Sequence, residues 1–184
     1  LNRNILEDKI KNFLDNFFIK TNNKNSLYLY GDYGIGKTEF IKNTLKKLDY
    51  DMIYYNSLQS RNKSVIDNII DNNICNNNVI TMFSKKPKKI VIVFDDIYTM
   101  NYGDKTSFSL LIKFIKNGQK KNKKNFYNYP IICINNISEE KKIADLIKIS
   151  ECIEFNKPNK GQILDIINLT IPNIFKYNTY ENEI

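Results

Sequence analysis

Residues 31–38 read Gly31-Asp32-Tyr33-Gly34-Ile35-Gly36-Lys37-Thr38, the spacing G-x-x-x-x-G-K-T of a phosphate-binding loop. The flanks constrain the fold as much as the loop does. Ser26-Leu27-Tyr28-Leu29-Tyr30 before it is apolar and aromatic, as a buried strand should be. From Glu39 to Leu48 the apolar residues fall at helical spacing. Strand, glycine loop and helix are the arrangement that phosphate chemistry needs. Glycine lets the backbone curl so that successive N–H groups face one anion, and the helix start adds free N–H groups and a positive dipole end. The stretch Gly31, Asp32, Tyr33, Gly34, Ile35, Gly36, Lys37, Thr38 and Glu39 is therefore the candidate nucleotide-binding segment. Lys37 is placed to reach the β- and γ-phosphates, and the Thr38 hydroxyl to hold Mg²⁺.

Ile90-Val91-Ile92-Val93-Phe94 is an unbroken, mostly β-branched run, the pattern of a strand buried on both faces of a parallel sheet. It ends in Asp95-Asp96. Carboxylates at the carboxyl end of a buried strand, downstream of a phosphate loop, form a Walker B site, because open parallel sheets bind ligands at that end. Asp95 is the metal candidate, and Asp96 the group that orients or deprotonates the attacking water. Alone, Asp-Asp would read as a helix N-cap; with Lys37 upstream the metal site is the better reading. Ile131-Ile132-Cys133-Ile134 is a further buried strand, ending in Asn135-Asn136. An amide there could touch the γ-phosphate or the water, or could make an ordinary Asn turn.

The remaining elements alternate. Ile10, Phe13, Leu14 and Phe17 share one helical face, and Met52 to Tyr55 is a strand. A helix starts near Ser64, and Asn72 to Asn78 and Ser84 to Lys89 are loops. Phe108 to Ile115 is helical, and Lys116 to Lys124 is a basic polar segment. Lys141 to Ile147 is a helix, Glu151 to Phe155 a short strand, and Gln162 to Thr170 a helix. Alternating strands and helices around a phosphate loop predict an α/β, three-layer domain on a central parallel sheet, of the P-loop NTPase kind.

Composition removes other chemistries. The 184 residues suit one domain, and 42% hydrophobic content suffices for a core. There is no histidine, and Cys75, Cys133 and Cys152 lack metal-ligand spacing, which argues against zinc and against His-based catalysis. Cysteine usage suits a reducing, cytosol-like or nuclear compartment. No apolar run approaches a membrane span and no secretory signal is visible, so no membrane partner is expected. The chain begins with Leu1 rather than Met, which predicts a fragment or a processed chain. The net charge of +8 has two readings. It suits a polyanionic partner; equally, the abundance of Asn, Lys, Ile and Tyr reflects A/T-rich codons, as in a large DNA virus or a parasite.

The order of residues resembles the AAA+ module of clamp loaders, and within them the large subunit of eukaryotic replication factor C, over about residues 10–166. The stretch from Tyr50 to Ser57 with Ser60-Arg61-Asn62-Lys63-Ser64 is similar to that family's aromatic strand, Asn-Ala-Ser-Asp and Arg-Ser segment. Asp95-Asp96-Ile97 with Met100 and Gly103-Asp104-Lys105 resembles its Asp-Glu-Val-Asp-Gly-Met stretch. Pro130 to Asn136 resembles its sensor-1 strand, with Asn136 at the sensor position. The resemblance implies an AAA+ RecA-like domain at 1–157 and the start of a truncated helical lid at 158–184. It implies ATP and Mg²⁺ as cofactors, with Lys37, Asp96 and Asn136 catalytic, the stretch from Gly31 to Glu39 on the nucleotide, and Thr38 and Asp95 on the metal.

The departures from the family carry expectations of their own. The second Walker B acid is usually Glu; Asp96 is one methylene shorter, which predicts weak hydrolysis unless the backbone compensates. Ser150-Glu151-Cys152 stands where small subunits carry Ser-Arg-Cys, so this chain should receive an arginine finger rather than supply one. The lid with its sensor-2 Arg is expected to be missing or only begun at Lys160–Ile184, and the segment that contacts adenine to be absent, which implies either a truncated chain or a reduced protein that does not close on nucleotide. The implied function is an ATPase subunit that loads a sliding clamp on primer–template DNA in DNA replication, together with small clamp-loader AAA+ subunits. Its place is intracellular, in the nucleus or a viral replication compartment. Lys113, Lys116 and the cluster Lys120, Lys121, Lys123 and Lys124 are the DNA-backbone candidates, with a solvated surface loop the alternative for the cluster. A scaffold that binds ATP without turning it over, or another AAA+ role such as a helicase loader, stays open at this level.

Overall fold

The computed structural model describes residues 3–19, 24–56, 89–98, 105–119, 129–136 and 141–170. The elements among them, in chain order, are α1 (Asn4–Ile19), β1 (Ser26–Gly31), α2 (Lys37–Lys47), β2 (Asp51–Tyr55) and β3 (Ile90–Phe94). Then come α3 (Lys105–Gln119), β4 (Ile131–Asn136), α4 (Lys141–Ile149), β5 (Glu151–Glu154) and α5 (Lys160–Thr170). The expected helix near Ser64, the loops at 72–78 and 84–88, the segments around Arg61 and Met100, the Lys120–Lys124 cluster and the tail beyond 170 lie outside the described residues.

The five strands form one sheet in the order β2-β3-β4-β1-β5, and every pairing is parallel. Period-two alternation sorts the strand residues between two cores. Val91, Val93, Leu27, Leu29, Ile132 and Ile134 meet α1 and α2 through Ile10, Phe13, Leu14, Phe40, Ile41 and Leu45. Ile92, Phe94, Tyr28, Ile131 and Cys133 meet α3 and α4 through Phe108, Leu111, Ile115, Ile143 and Leu146. The result is the expected three-layer α/β sandwich. Each fully buried Ile, Leu or Phe contributes roughly 1.5–3 kcal/mol, so the central strands anchor the domain.

Two details refine the sequence reading. First, α3 runs to Gln119, so Lys116, where the basic polar segment starts, lies on a helix. The Gln119 side chain donates to the Ile149 carbonyl at 2.9 Å and ties that end to α4. Second, Asn135 and Asn136 are the last strand residues of β4 and not a turn. Their ladder partners, Tyr30 and Gly31, keep β1 extended to the edge of the phosphate loop. Asn25, just before β1, is held through its side chain, which donates to the Ile115 carbonyl at 3.1 Å.

Candidate functional site

The carboxyl ends of β1, β3 and β4 converge beside the first turn of α2. They line a cleft of about 410 Å³ with Gly34, Gly36, Lys37, Thr38, Glu39, Asp95, Asp96, Ile134, Asn135 and Asn136. Glycine is required at two loop positions for different reasons. Gly36, the N-cap of α2, has φ 86°, the left-handed region that favours glycine. A Cβ at Gly31 would run into the Phe155 carbonyl oxygen. With no side-chain cap on α2, the amide groups of its first turn have no intrahelical acceptor. That end of the helix suits an anion.

Lys37 is 7% exposed and bound from three sides. Its Nζ donates to the carbonyls of Gly31 at 3.0 Å and Asp32 at 2.6 Å, and to Asn136 Oδ1 at 2.8 Å. Burial draws its ammonium below the ordinary lysine range, while Asp95, Asp32 and Asp96 oppose that shift. A cation kept partly dry among carbonyl oxygens is poised to exchange them for phosphate oxygens.

Asp95 is held at both oxygens. Oδ2 accepts from Thr38 Oγ1 at 2.8 Å and from the Tyr54 hydroxyl at 2.6 Å. Oδ1 accepts from the Asp96 amide at 2.9 Å. This carboxylate therefore faces the phosphate loop. Burial first, then the bond to Asp95, pushes the Tyr54 phenol well above the ordinary tyrosine range, so it remains a donor. Asp96 lines the cleft with φ 52°. Asp tolerates left-handed backbone better than most side chains, which gives a conformational reason for Asp at this position.

The pairing of Thr38 and Asp95 tests whether Mg²⁺ fits. A hydroxyl and a carboxylate 2.8 Å apart are hard oxygen donors of the right kind. Among the described residues no group of three or more His, Cys, Asp or Glu gathers to hold an ion by itself. Mg²⁺ binds in this manner, taking one or two protein oxygens and completing its shell with water and phosphate. The residues fit the ion.

The other candidate positions separate. Asn135 is buried and structural: its Oδ1 accepts the Tyr98 amide at 3.1 Å, and its Nδ2 donates to the Tyr28 hydroxyl at 2.9 Å. Asn136, one residue later, is the one that meets Lys37. Gly31 and Asp32 reach the site through their carbonyls, and the Asp32 side chain pairs with Lys157 at 2.8 Å. Tyr33 is 71% exposed, and the Ile35 carbonyl accepts from the Arg3 guanidinium at 2.9 Å. Arg3 also lies over the Phe155 ring at 4.0 Å and pins the start of α1 to the loop. Sequence reasoning missed Tyr54, Arg3 and Lys157. Tyr54 pairs with Val93, two residues before Asp95, a neighbourhood that only the strand order reveals.

The phosphate loop, the carboxylates on the buried strand and the all-parallel sheet define a P-loop ATPase. The profile of the ATPase family associated with various cellular activities (AAA) matches residues 27–155, and the chain belongs to that family. Among curated proteins it is similar to Replication factor C subunit 1 of Saccharomyces cerevisiae, at 25% identity over 176 residues, covering 84% of this chain and 19% of that protein. It is likewise similar to Replication factor C subunit 1 of Oryza sativa subsp. japonica, at 29% identity over 153 residues, covering 76% of this chain and 14% of that protein. The chain thus spans less than a fifth of the length of these relatives. The fold of C. elegans PCH-2 superposes with a TM-score of 0.64 at 14% identity, covering 99% of this chain and 50% of that one. No helix among the described residues is long and apolar enough to cross a membrane.

Proposed function

We propose that this chain is the ATP-binding and ATP-hydrolysing unit of a clamp-loader large subunit, acting in DNA replication in the nucleus or a viral replication compartment. For the ATPase chemistry, the supporting observation is the Lys37 ammonium held by Gly31, Asp32 and Asn136 and facing the Thr38–Asp95 pair. For the clamp-loader role, the support is the likeness to Replication factor C subunit 1 over the AAA region. Residues 1–157 form the ATPase core, and 158–184 begin a helical lid.

In this reading Lys37 leaves its carbonyl acceptors for the β- and γ-phosphates of ATP, while the α2 amides cradle them. Thr38 and Asp95 hold Mg²⁺. When bound there, the ion would supply positive charge to offset the negative charge on the phosphoryl oxygens. Asp96 orients or deprotonates the attacking water, and Asn136, released from Lys37, binds the γ-phosphate or that water. Glu151, the first residue of β5, stands where small subunits carry a finger Arg. A carboxylate there would oppose the charge developing on phosphate. The chain therefore receives a finger from a neighbouring AAA+ subunit. Lys113 and Lys116, both exposed on α3, contact the DNA backbone; their neutralisation flattens the salt dependence of DNA binding.

The test is affinity purification of the full-length protein with identification of its partners by mass spectrometry. The proposal expects small AAA+ subunits bearing Ser-Arg-Cys, together with a sliding clamp. Recovery of a helicase and no clamp would move the function to another AAA+ branch.

A further inference from the structure

Three donors converge on Asp95, and they differ in what holds them. Thr38 belongs to the first turn of α2, the segment that must accommodate phosphate. The Asp96 amide adjoins Asp95 itself. Tyr54 comes from a different element: its backbone pairs with Val93 in the β2–β3 ladder, and its ring packs half-buried against the core. Lys42 Nζ lies 4.6 Å from the centre of that ring, so the phenol is fixed from α2 as well as from the sheet. Its hydroxyl reaches Asp95 Oδ2 at 2.6 Å, the shortest of the three bonds.

A carboxylate at the tip of a strand turns readily about its terminal torsion. A donor that does not move with the phosphate loop is the means to stop it. We infer that the Tyr54 hydroxyl is a positioning group for the divalent-cation carboxylate, holding Asp95 with Oδ2 turned toward Thr38. Tyr54 touches neither phosphate nor cation in this account. It acts through Asp95, as outer hydrogen-bond partners commonly act on metal ligands. The inference rests on the Mg²⁺–ATP reading of the cleft. It adds a residue on which the Mg²⁺ requirement depends.

A purely structural tyrosine would affect folding, or ATP binding in general. A positioning tyrosine should affect only the part of ATP binding that depends on the cation. The test uses the 184-residue chain and its Tyr54→Phe variant, which keeps the ring against Lys42. A fluorescent ATP analogue is titrated at a series of Mg²⁺ concentrations and again in excess EDTA. Tyr54→Phe is expected to need about tenfold more Mg²⁺ for half-maximal binding, with affinity in EDTA within about twofold of wild type and a retained cooperative melt. On an Asp95→Asn background the same substitution should change nothing further. An unchanged Mg²⁺ requirement, equal weakening in EDTA, an undiminished effect on Asp95→Asn, or loss of the cooperative melt would each overturn the inference. Wild-type chain that fails to bind the analogue at any Mg²⁺ concentration would instead remove the ATP reading beneath it.

Discussion

At the carboxyl ends of β1, β3 and β4, each polar side chain at the centre of the cleft is tied to another. Lys37 is bound to Asn136 and two carbonyls, and Asp95 to Thr38, Tyr54 and the Asp96 amide. Along α5 the situation is reversed. None of its residues is buried, and Ile163, Leu164, Ile166 and Leu169 are exposed, the last at 83%. Both regions depart from the ordinary pattern of a folded domain, in opposite directions. The centre of the cleft concentrates charged and polar groups at low exposure, with Lys37 and Asp95 satisfied locally, so its order is intrinsic to the core domain. The helix carries apolar groups that the described residues leave exposed, so its own burial contributes little to holding it.

Function and stability should therefore respond very differently at the two ends. The largest effect is expected at Asp96. Asp96→Asn should lower ATP turnover by about a hundredfold or more, the usual scale for losing a general base, with affinity for ATP kept. Measuring turnover and binding on one preparation separates the two; a parallel loss of binding would return Asp96 to a structural role.

Next comes the core beneath the cleft. Ile92→Ala, at a fully buried strand position, should cost about 2–5 kcal/mol in a denaturant titration. A smaller cost would mean that β3 is not the anchor described above.

Tyr28 supplies a pH signature. Burial pushes its phenol from 10.0 up to about 12. Between those values the unfolded chain gives up this proton and the folded chain keeps it. Tyr28 therefore contributes stability below the unfolded value that is lost as pH rises through the folded one. Tyr28→Phe should show a shallower alkaline loss of stability, and also a loss of about 0.5–1.5 kcal/mol near neutrality for the bond from Asn135. A slope as steep as wild type would place the alkaline transition on other groups.

The smallest effect is expected on α5. Leu169→Ser should change stability by no more than about 0.5 kcal/mol. A loss like that of Ile92→Ala would erase the contrast between the two regions.

The sequence carried the site where spacing is local. Gly31 to Thr38 announce a strand, a loop and a helix start, and Val91 to Phe94 announce a buried strand ending in carboxylates. The structure brings these segments together, with Thr38 Oγ1 2.8 Å from Asp95 Oδ2. What escaped sequence reading depends on strand order. Tyr54 reaches Asp95 only because β2 lies beside β3 in the sheet, and a periodic pattern does not say which strands are neighbours. For Asn135 and Asn136 the resemblance puts Asn136 at the sensor position, and the register adds the physical reason for the difference: adjacent residues on one strand point to opposite faces, so one packs against Tyr28 and the other meets Lys37. The left-handed backbone of Asp96 is invisible to pattern altogether, yet it bears on why the shorter acid stands there.

The central claim is that the Lys37 end of the sheet is a working Mg²⁺–ATP site, and one titration tests it most directly. The affinity of the chain for a labelled ATP analogue would be measured with Mg²⁺, for wild type and for Lys37→Ala. Saturable binding by wild type, with Lys37→Ala weakened by at least about two orders of magnitude, as loss of a buried charge-assisted contact implies, is the predicted result. Equal affinities would contradict the account, because the phosphate loop would then not be where the nucleotide binds.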